Sequence, residues 1–150
     1  MKEEYRILGI DFGLKRIGLA LTDPLLTFSY PYTTISNDNS LWNNLKSIIE
    51  EKNVNKIILG FPKKSNRADK DITKNVLEFK DKLSLKFNLE IILWDESYTS
   101  ELAKQIVIKS VSKKSKRRDK GLLDQNSAAI ILQEYLDEGR SNGMTEGLLE

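Results

Sequence analysis

Hydrophobic and polar residues follow a strand-like pattern over the first part of the chain. Three runs, rich in alternating or β-branched residues, cover Tyr5–Phe12, Ile17–Leu21 and Thr27–Ile35. Pro31 lies inside the third run and has no N–H to donate, so we expect an edge strand or a bulge there. The pattern predicts three short strands separated by turns.

From about residue 40 the apolar positions change to helical spacing, interrupted by short continuous apolar runs. The helical pattern predicts helices over about 40–52, 70–87 and 122–138, and a further helix that starts near residue 99. The apolar runs Lys56–Gly60 and Glu90–Trp94 are typical of strands buried on both faces. The order βββαβαβαα predicts an α/β fold with a mixed five-stranded sheet. We expect one domain over 1–138, followed by a flexible tail over 139–150.

Four carboxylates occupy positions where the pattern favours apolar residues. Asp11 ends the first strand, on the same face as Gly9, and Gly9 leaves room for a close approach. Asp95 and Glu96 follow the last apolar run, at the carboxyl end of a strand, where α/β sheets tend to bind ligands. Asp124 lies on the apolar stripe of the last helix, although an aspartate in a first helical turn also interacts with the helix dipole.

The chain contains no histidine and no cysteine. Histidine bases, thiol nucleophiles and ordinary zinc sites are therefore excluded. Converging carboxylates then favour Mg²⁺ or Mn²⁺ bound by oxygen, with Asp11, Asp95, Glu96 and Asp124 as candidate ligands. Such ions support phosphodiester hydrolysis.

Charge is concentrated in one segment. The chain has 24 Lys+Arg and 22 Asp+Glu, a net charge of +2. Residues 109–120 carry seven Lys+Arg and one Asp, which leaves about −4 for the other 138 residues. The segment suits a polyanionic partner, and a solvated basic loop is the simpler alternative. Its candidate substrate-binding residues are Lys113, Lys114, Lys116, Arg117 and Arg118.

Several segments resemble one family along the chain from about residue 5 to 138. IDFGLKRIGLA, at 10–20, resembles the D-x-G-x-K-R-I-G-x-A signature of the YqgF/RuvX family. GFP at 60–62 matches its G-x-P motif, and DESYTS at 95–100 resembles its D-E-R-x-[TS]-[TS] segment. Residues 123–133 resemble the family's terminal helix.

The resemblance implies an RNase H-like fold, with three antiparallel strands followed by βαβ units and flanking helices. Family members are Holliday-junction-resolvase-like proteins regarded as nucleases of precursor 16S rRNA. The resemblance also implies that Asp11, Glu96 and Asp124 are the counterparts of the catalytic acidic triad. We therefore expect a Mg²⁺-dependent nuclease that processes the 5′ end of pre-16S rRNA, a step of ribosome biogenesis.

The chain departs from the family pattern at two points. Ser97 stands where the family usually has arginine, and a glycine expected shortly after G-x-P is absent. Lys15 and Arg16, in the turn after the first strand, are candidate phosphate contacts. Thr99 is first a helix cap and second a substrate contact.

Three other functions are considered beside RNA processing. A Holliday junction resolvase would use the same chemistry on four-way DNA, as a dimer. A non-catalytic RNA-binding assembly factor would need only the basic segment. A sugar kinase of the actin-like type would need two such domains.

We also expect a cytoplasmic protein, monomeric or weakly dimeric, that binds structured RNA or branched DNA. It has no membrane segment, because no run approaches 18 apolar residues.

Overall fold

The computed structural model describes residues 4–61, 67–95 and 120–149; at 67–71, 95, 120–124 and 140–149 it describes the backbone alone. A five-stranded sheet in the order β3-β2-β1-β4-β5 forms the centre of this part of the chain. The strands are β1 Arg6–Asp11, β2 Arg16–Thr22, β3 Ser29–Ser36, β4 Val54–Phe61 and β5 Glu90–Asp95. Strand β2 is antiparallel to both β1 and β3, whereas β4 and β5 run parallel to β1. The predicted mixed sheet is confirmed.

The edge strand β3 carries the irregularity expected from Pro31. Leu19 pairs with Thr33 but Ala20 pairs with Pro31, so the register skips Tyr32. A bulge on an edge strand tolerates a residue that has no N–H to donate. Pro31 therefore lies on an edge strand and also at a bulge, the two alternatives that the sequence predicts.

Helices cover both faces of the sheet. Their bounds are α1 Leu41–Glu51, α2 Arg67–Lys86 and α3 Lys120–Leu149. One core cluster joins α1 and α2 to side chains such as Leu8, Ile10 and Leu59. The other joins α3 to Ile7, Ala20 and Ile58. The face assignment predicted by strand alternation in β1 is confirmed.

The second helix presents the inner face that the sequence predicts. Val76, Phe79 and Leu83 are all buried on α2. The helix begins a few residues earlier than the predicted residue 70 and ends at Lys86. The spacing of apolar residues thus predicts the buried face of α2 more accurately than its first and last residues.

The last helix is longer than predicted. We expected it to end at Glu138, before a tail that includes Gly139, but its backbone is helical to Leu149. Glycine lowers helix propensity by about 1 kcal/mol without forbidding a helix. The flexibility of 139–150 stays a prediction, and the helix expected near residue 99 lies outside the described residues. No helix in the described ranges combines the length and the hydrophobicity that crossing a bilayer requires.

Candidate functional site

The parallel strands β1, β4 and β5 end at one edge of the sheet, which we call the carboxyl edge. Ile10 pairs with Leu59, and Phe61 pairs with Asp95, so Asp11 and Asp95 lie at corresponding strand ends. Neighbouring strands are about 4.8 Å apart, which separates β1 from β5 by about 10 Å. The topology brings two of the predicted acidic positions to one edge.

Asp11 ends β1 opposite a glycine of the neighbouring strand. Its antiparallel partner on β2 is Gly18, which has no side chain to fill the position across from the carboxylate. Asp11 is half-buried, and strand alternation puts it on the α3 face with Ile7 and Gly9. The site therefore combines a carboxylate at a strand end with a glycine opposite.

Gly9 lets the backbone of α3 lie directly on β1. A Cβ atom at Gly9 would be 2.9 Å from the carbonyl oxygen of Ala128 and 3.0 Å from Cβ of Leu132. Real side chains do not approach so closely, so only glycine fits this crossing. The room that the sequence predicted at Gly9 is occupied by a helix more than 100 residues away along the chain.

Polar contacts on both sides fix the direction of α3 across the sheet. On one side, Ser29 Oγ donates to the carbonyl of Ala129 at 2.5 Å, while Gln133 Nε2 donates to the carbonyl of Thr27 at 3.4 Å. Gln133 Oε1 also accepts the N–H of Ser29 at 2.8 Å, so the contacts of the helix extend from Ser29 back to Thr27 as it advances by four residues. Thr27 precedes β3, which runs parallel to β1, so this movement is away from the carboxyl edge.

On the other side of α3, Lys56 Nζ donates to the Tyr135 hydroxyl at 3.0 Å. Lys56 pairs with Ile7, near the start of β1, whereas Ala128 lies over Gly9. The pKa of Lys56 is raised, first by this bond to Tyr135 and further by the charge of Glu90, with partial burial opposing. Both sides indicate that α3 runs antiparallel to β1.

The direction of α3 sets where position 124 falls. Asp124 precedes Ala128 by four residues, which is about one turn or 6 Å along the helix axis. Its helical backbone therefore lies beyond Gly9 in the direction of Asp11. Only the backbone is described at Asp95 and Asp124, and Glu96 lies outside the described residues. No three acidic side chains come together among those that the structure does describe.

The turn between β1 and β2 carries Lys15 and Arg16. Lys15 is exposed and Arg16 is half-buried. A Cβ atom at Gly13 would be 2.4 Å from the carbonyl oxygen of Arg16, so the tight turn requires glycine there. The other predicted substrate contacts, Thr99, Lys113, Lys114, Lys116, Arg117 and Arg118, lie outside the described residues.

Asn37 supports this turn and was not identified from the sequence. Its Nδ2 donates to the carbonyl of Gly13 at 2.9 Å, and its backbone N–H donates to the carbonyl of Lys15 at 2.9 Å. An asparagine directly after a strand is a sequence signal for a turn, and Asn37 follows β3 in this way. Its contact with another turn depends on the sheet order, which local pattern does not give.

The sheet order, the mixed strand directions and the helices on both faces define the RNase H-like fold. Solved Holliday junction resolvases share it. Thermus thermophilus RuvC in complex with a Holliday junction substrate matches with a TM-score of 0.56 at 11% identity, over 88% of this chain and 93% of that chain. The fowlpox virus resolvase, also in complex with junction DNA, matches with a TM-score of 0.55 at 14% identity, over 89% and 97%.

The family model of RuvX, described as Holliday junction resolvase, matches residues 5–138. The chain belongs to the RuvX family. A relative from Porphyromonas gingivalis, named "putative pre-16S rRNA nuclease", is 38% identical over 133 residues, which cover 88% of this chain and 96% of the relative. A relative of the same name from Chlorobium luteolum is 36% identical over 141 residues, covering 93% and 99%.

Proposed function

We propose that the chain is a divalent-metal-dependent nuclease that hydrolyses phosphodiester bonds in structured RNA, with the 5′ end of pre-16S rRNA as its substrate. The crossing of α3 over Gly9 is the observation that carries this proposal. It brings the helical turn of position 124 toward the strand end that holds Asp11. Membership of a nuclease family supports the same chemistry.

Asp11, Glu96 and Asp124 are the proposed ligands and catalytic carboxylates. Carboxylate oxygens are the ligands that suit Mg²⁺ or Mn²⁺, and Gly18, across from Asp11, has no side chain. Ions bound there would activate water and stabilise the leaving oxygen.

The alternation of side chains along β5 favours Glu96 over Asp95 as the third carboxylate. Ile92 and Trp94 pack in the cluster of α3, whereas Ile91 and Leu93 pack in the cluster of α1 and α2. We propose that position 96 continues this alternation, which would put Glu96 on the face of α3 and of Asp11. Asp95 is then a weaker candidate ligand.

Cations flank these carboxylates in the sequence. We propose that Lys15 and Arg16 contact phosphate next to the cut bond, that Thr99 adds a hydroxyl contact, and that Lys113, Lys114, Lys116, Arg117 and Arg118 bind the backbone further away. We also propose that the protein is cytoplasmic, as an rRNA substrate requires, and that it is a monomer or a weak dimer.

The test is cleavage of a precursor 16S rRNA fragment by Asp11→Asn. We expect cleavage to fall by at least about a hundredfold, because even indirect loss of support to a metal ligand costs 10- to 100-fold. The melting temperature should stay close to that of the wild type, and chelation of Mg²⁺ should abolish wild-type cleavage. Asp81→Asn, an exposed aspartate on α2, is the matched control and should cleave normally. Full activity of Asp11→Asn would contradict the proposal.

The second candidate substrate is a four-way DNA junction. The description of the family model and the junction-bound neighbours favour it. A gel comparison of both substrates at equal enzyme concentration separates the two: preferred cleavage of the junction would replace RNA as the substrate. If neither is cut but RNA binds, the protein is a non-catalytic RNA-binding factor.

A further inference from the structure

A polar pocket of about 350 Å³ opens on the face of the sheet opposite to Asp11. The β1–β2 turn, the segment before α1, and α2 form its walls. Phe12, which lines it, directly follows Asp11 along the chain and points to the face of α1 and α2. The pocket therefore borders the carboxyl edge at which we propose cleavage.

Three aromatic rings line the pocket on its inner side. The ring centroids of Phe12 and Phe79 are 4.9 Å apart, and those of Trp42 and Phe79 are 5.4 Å apart. Phe79 is buried, whereas Phe12 and Trp42 are half-buried and keep part of their surface accessible. Partly exposed aromatic rings are the platforms on which nucleic-acid bases stack.

Hydrogen-bonding groups surround these rings. The amides of Asn39 and Asn75 line the pocket, with the carboxylates of Asp38 and Glu78. Amides both donate and accept, and carboxylates accept from the exocyclic amino groups of bases. The aromatic rings suit stacking against the flat face of a nucleobase. The polar groups suit hydrogen bonds to its edge.

The charge of the pocket favours a base over a phosphate. Two acidic residues, Asp38 and Glu78, and one basic residue, Lys82, line the pocket. Asp38 Oδ1 accepts from the hydroxyl of Ser40 at 2.5 Å and from its N–H at 2.9 Å, and these bonds lower the pKa of Asp38. Like any exposed aspartate at neutral pH, Asp38 is negatively charged and repels an anion.

We propose that this pocket binds one unpaired nucleobase of the strand that is cut at the carboxyl edge. The route of the strand rests on the proposed function, whereas the binding of a base does not require cleavage. The volume lies at the lower end of the range for small-ligand pockets, about 300–1,000 Å³, and so suits a single nucleoside and not a base pair.

Trp42 provides a direct readout, because Trp94 is the only other tryptophan of the chain. In a Trp94→Phe variant, all tryptophan emission comes from Trp42, which lines this pocket and also a neighbouring one beside Lys86, so the position of the base is tested separately below. We titrate this variant with adenosine, guanosine, cytidine and uridine, and with ribose, which has no base. Saturable quenching by at least one nucleoside, and none by ribose, is the expected result.

Asn75→Leu in the same background tests whether the base occupies this pocket. We expect nucleoside binding about tenfold weaker or more, because the amide is lost and a branched side chain enters the pocket. Asn44→Leu is the matched control, since Asn44 is an exposed asparagine on α1 that does not line the pocket. Thermal melts of both variants establish that they are folded.

Absence of saturable quenching by all four nucleosides overturns the proposal, and so does equal quenching in Asn75→Leu and Asn44→Leu. Nucleosides contain no phosphodiester bond, so their binding is independent of cleavage. Quenching without cleavage of either RNA or junction DNA would therefore contradict the nuclease and support the pocket. Cleavage without quenching would contradict the base-binding pocket and support the nuclease.

Discussion

The carboxylate of Asp23 organises the turn between β2 and β3. Its Oδ1 accepts the N–H groups of Phe28 at 2.6 Å and of Thr27 at 2.8 Å, and its Oδ2 accepts that of Leu25 at 3.1 Å. Leu26 inside the turn has a φ of 58°, a left-handed conformation that a leucine rarely adopts. One side chain thus compensates for backbone strain across the turn.

We predict that Asp23→Ala lowers the free energy of unfolding by about 1–2 kcal/mol, because three backbone donors lose a charged acceptor in a solvent-accessible turn. Urea denaturation at pH 7 measures the loss. Asp81→Ala on α2 is the control, since it removes an exposed carboxylate outside the turn. An equal loss in both variants would contradict this role for Asp23.

The contribution of Asp23 should also depend on pH. Partial burial alone would raise the pKa of Asp23, but the N–H donors of Phe28, Thr27 and Leu25 outweigh it and hold the pKa below its ordinary value. Because the folded pKa is the lower one, the stabilisation is complete above the unfolded pKa of about 3.9. It is lost as the pH falls through the folded pKa. The stability difference between wild type and Asp23→Asn should therefore shrink below about pH 4, in urea titrations at several pH values.

Single residues differ in how far the sequence predicts their role. Alternation in β1 predicted the face of Asp11, because period 2 is a local property of a strand. Gly9 signalled a close approach, but the approaching atoms belong to Ala128 and Leu132. Asn37 contacts Gly13 across the fold. Partners that are distant along the chain depend on topology, and local pattern cannot supply them.

At the scale of elements, burial explains which predictions were accurate. Ile57, Ile58 and Leu59 on β4 are fully buried, and they belong to an apolar run that predicted a strand covered on both faces. The predicted end of α3 at Glu138 was wrong, because its backbone is helical to Leu149. Side-chain burial leaves a strong pattern in the sequence, whereas helix ends depend on small differences in propensity.

Gly9→Ala should disturb the packing of α3 on β1. The new methyl group would meet the carbonyl of Ala128 and Cβ of Leu132, and relief requires a shift of the whole helix. We predict a loss of about 1–3 kcal/mol in the free energy of unfolding, as in other overpacked cores. Cleavage should fall as well, because the shift moves position 124 relative to Asp11.

Gly139→Ala is the matched control for this substitution. A Cβ atom at Gly139 would meet nothing within 4 Å, so alanine there should leave stability unchanged or raise it. Urea denaturation and RNA cleavage are measured for both variants. Wild-type stability and activity of Gly9→Ala would contradict the close crossing of α3 over β1.

At the scale of the whole molecule, charge is divided between two proposed regions. The carboxyl edge combines Asp11 with the positions of Asp95 and Asp124, whereas the cations concentrate in residues 109–120. Because the chain has no histidine and no cysteine, carboxylate oxygens are the candidate ligands for a metal ion at this edge. Residues 96–119 include Glu96 and most of the cations of the basic segment, and the roles of these residues stay predictions.

The basic segment predicts a definite salt dependence of RNA binding. Each phosphate neutralised by a cation contributes about 0.7–0.9 to the slope of log K against log salt concentration. Replacing the five cations Lys113, Lys114, Lys116, Arg117 and Arg118 by glutamine should therefore reduce that slope by up to about 3.5–4.5. Fluorescence anisotropy of a labelled precursor rRNA fragment between 50 and 200 mM KCl measures the slope, in an Asp11→Asn background that prevents cleavage.

A matched control separates local binding from overall charge. Five other lysines replaced by glutamine change the net charge by the same amount: Lys46, Lys52, Lys74, Lys80 and Lys86. If phosphates contact the basic segment, the slope falls only in the first variant, because counterions are released where the RNA lies. Equal slopes in both variants would mean that net charge alone attracts the RNA, and the segment would then be a solvated loop.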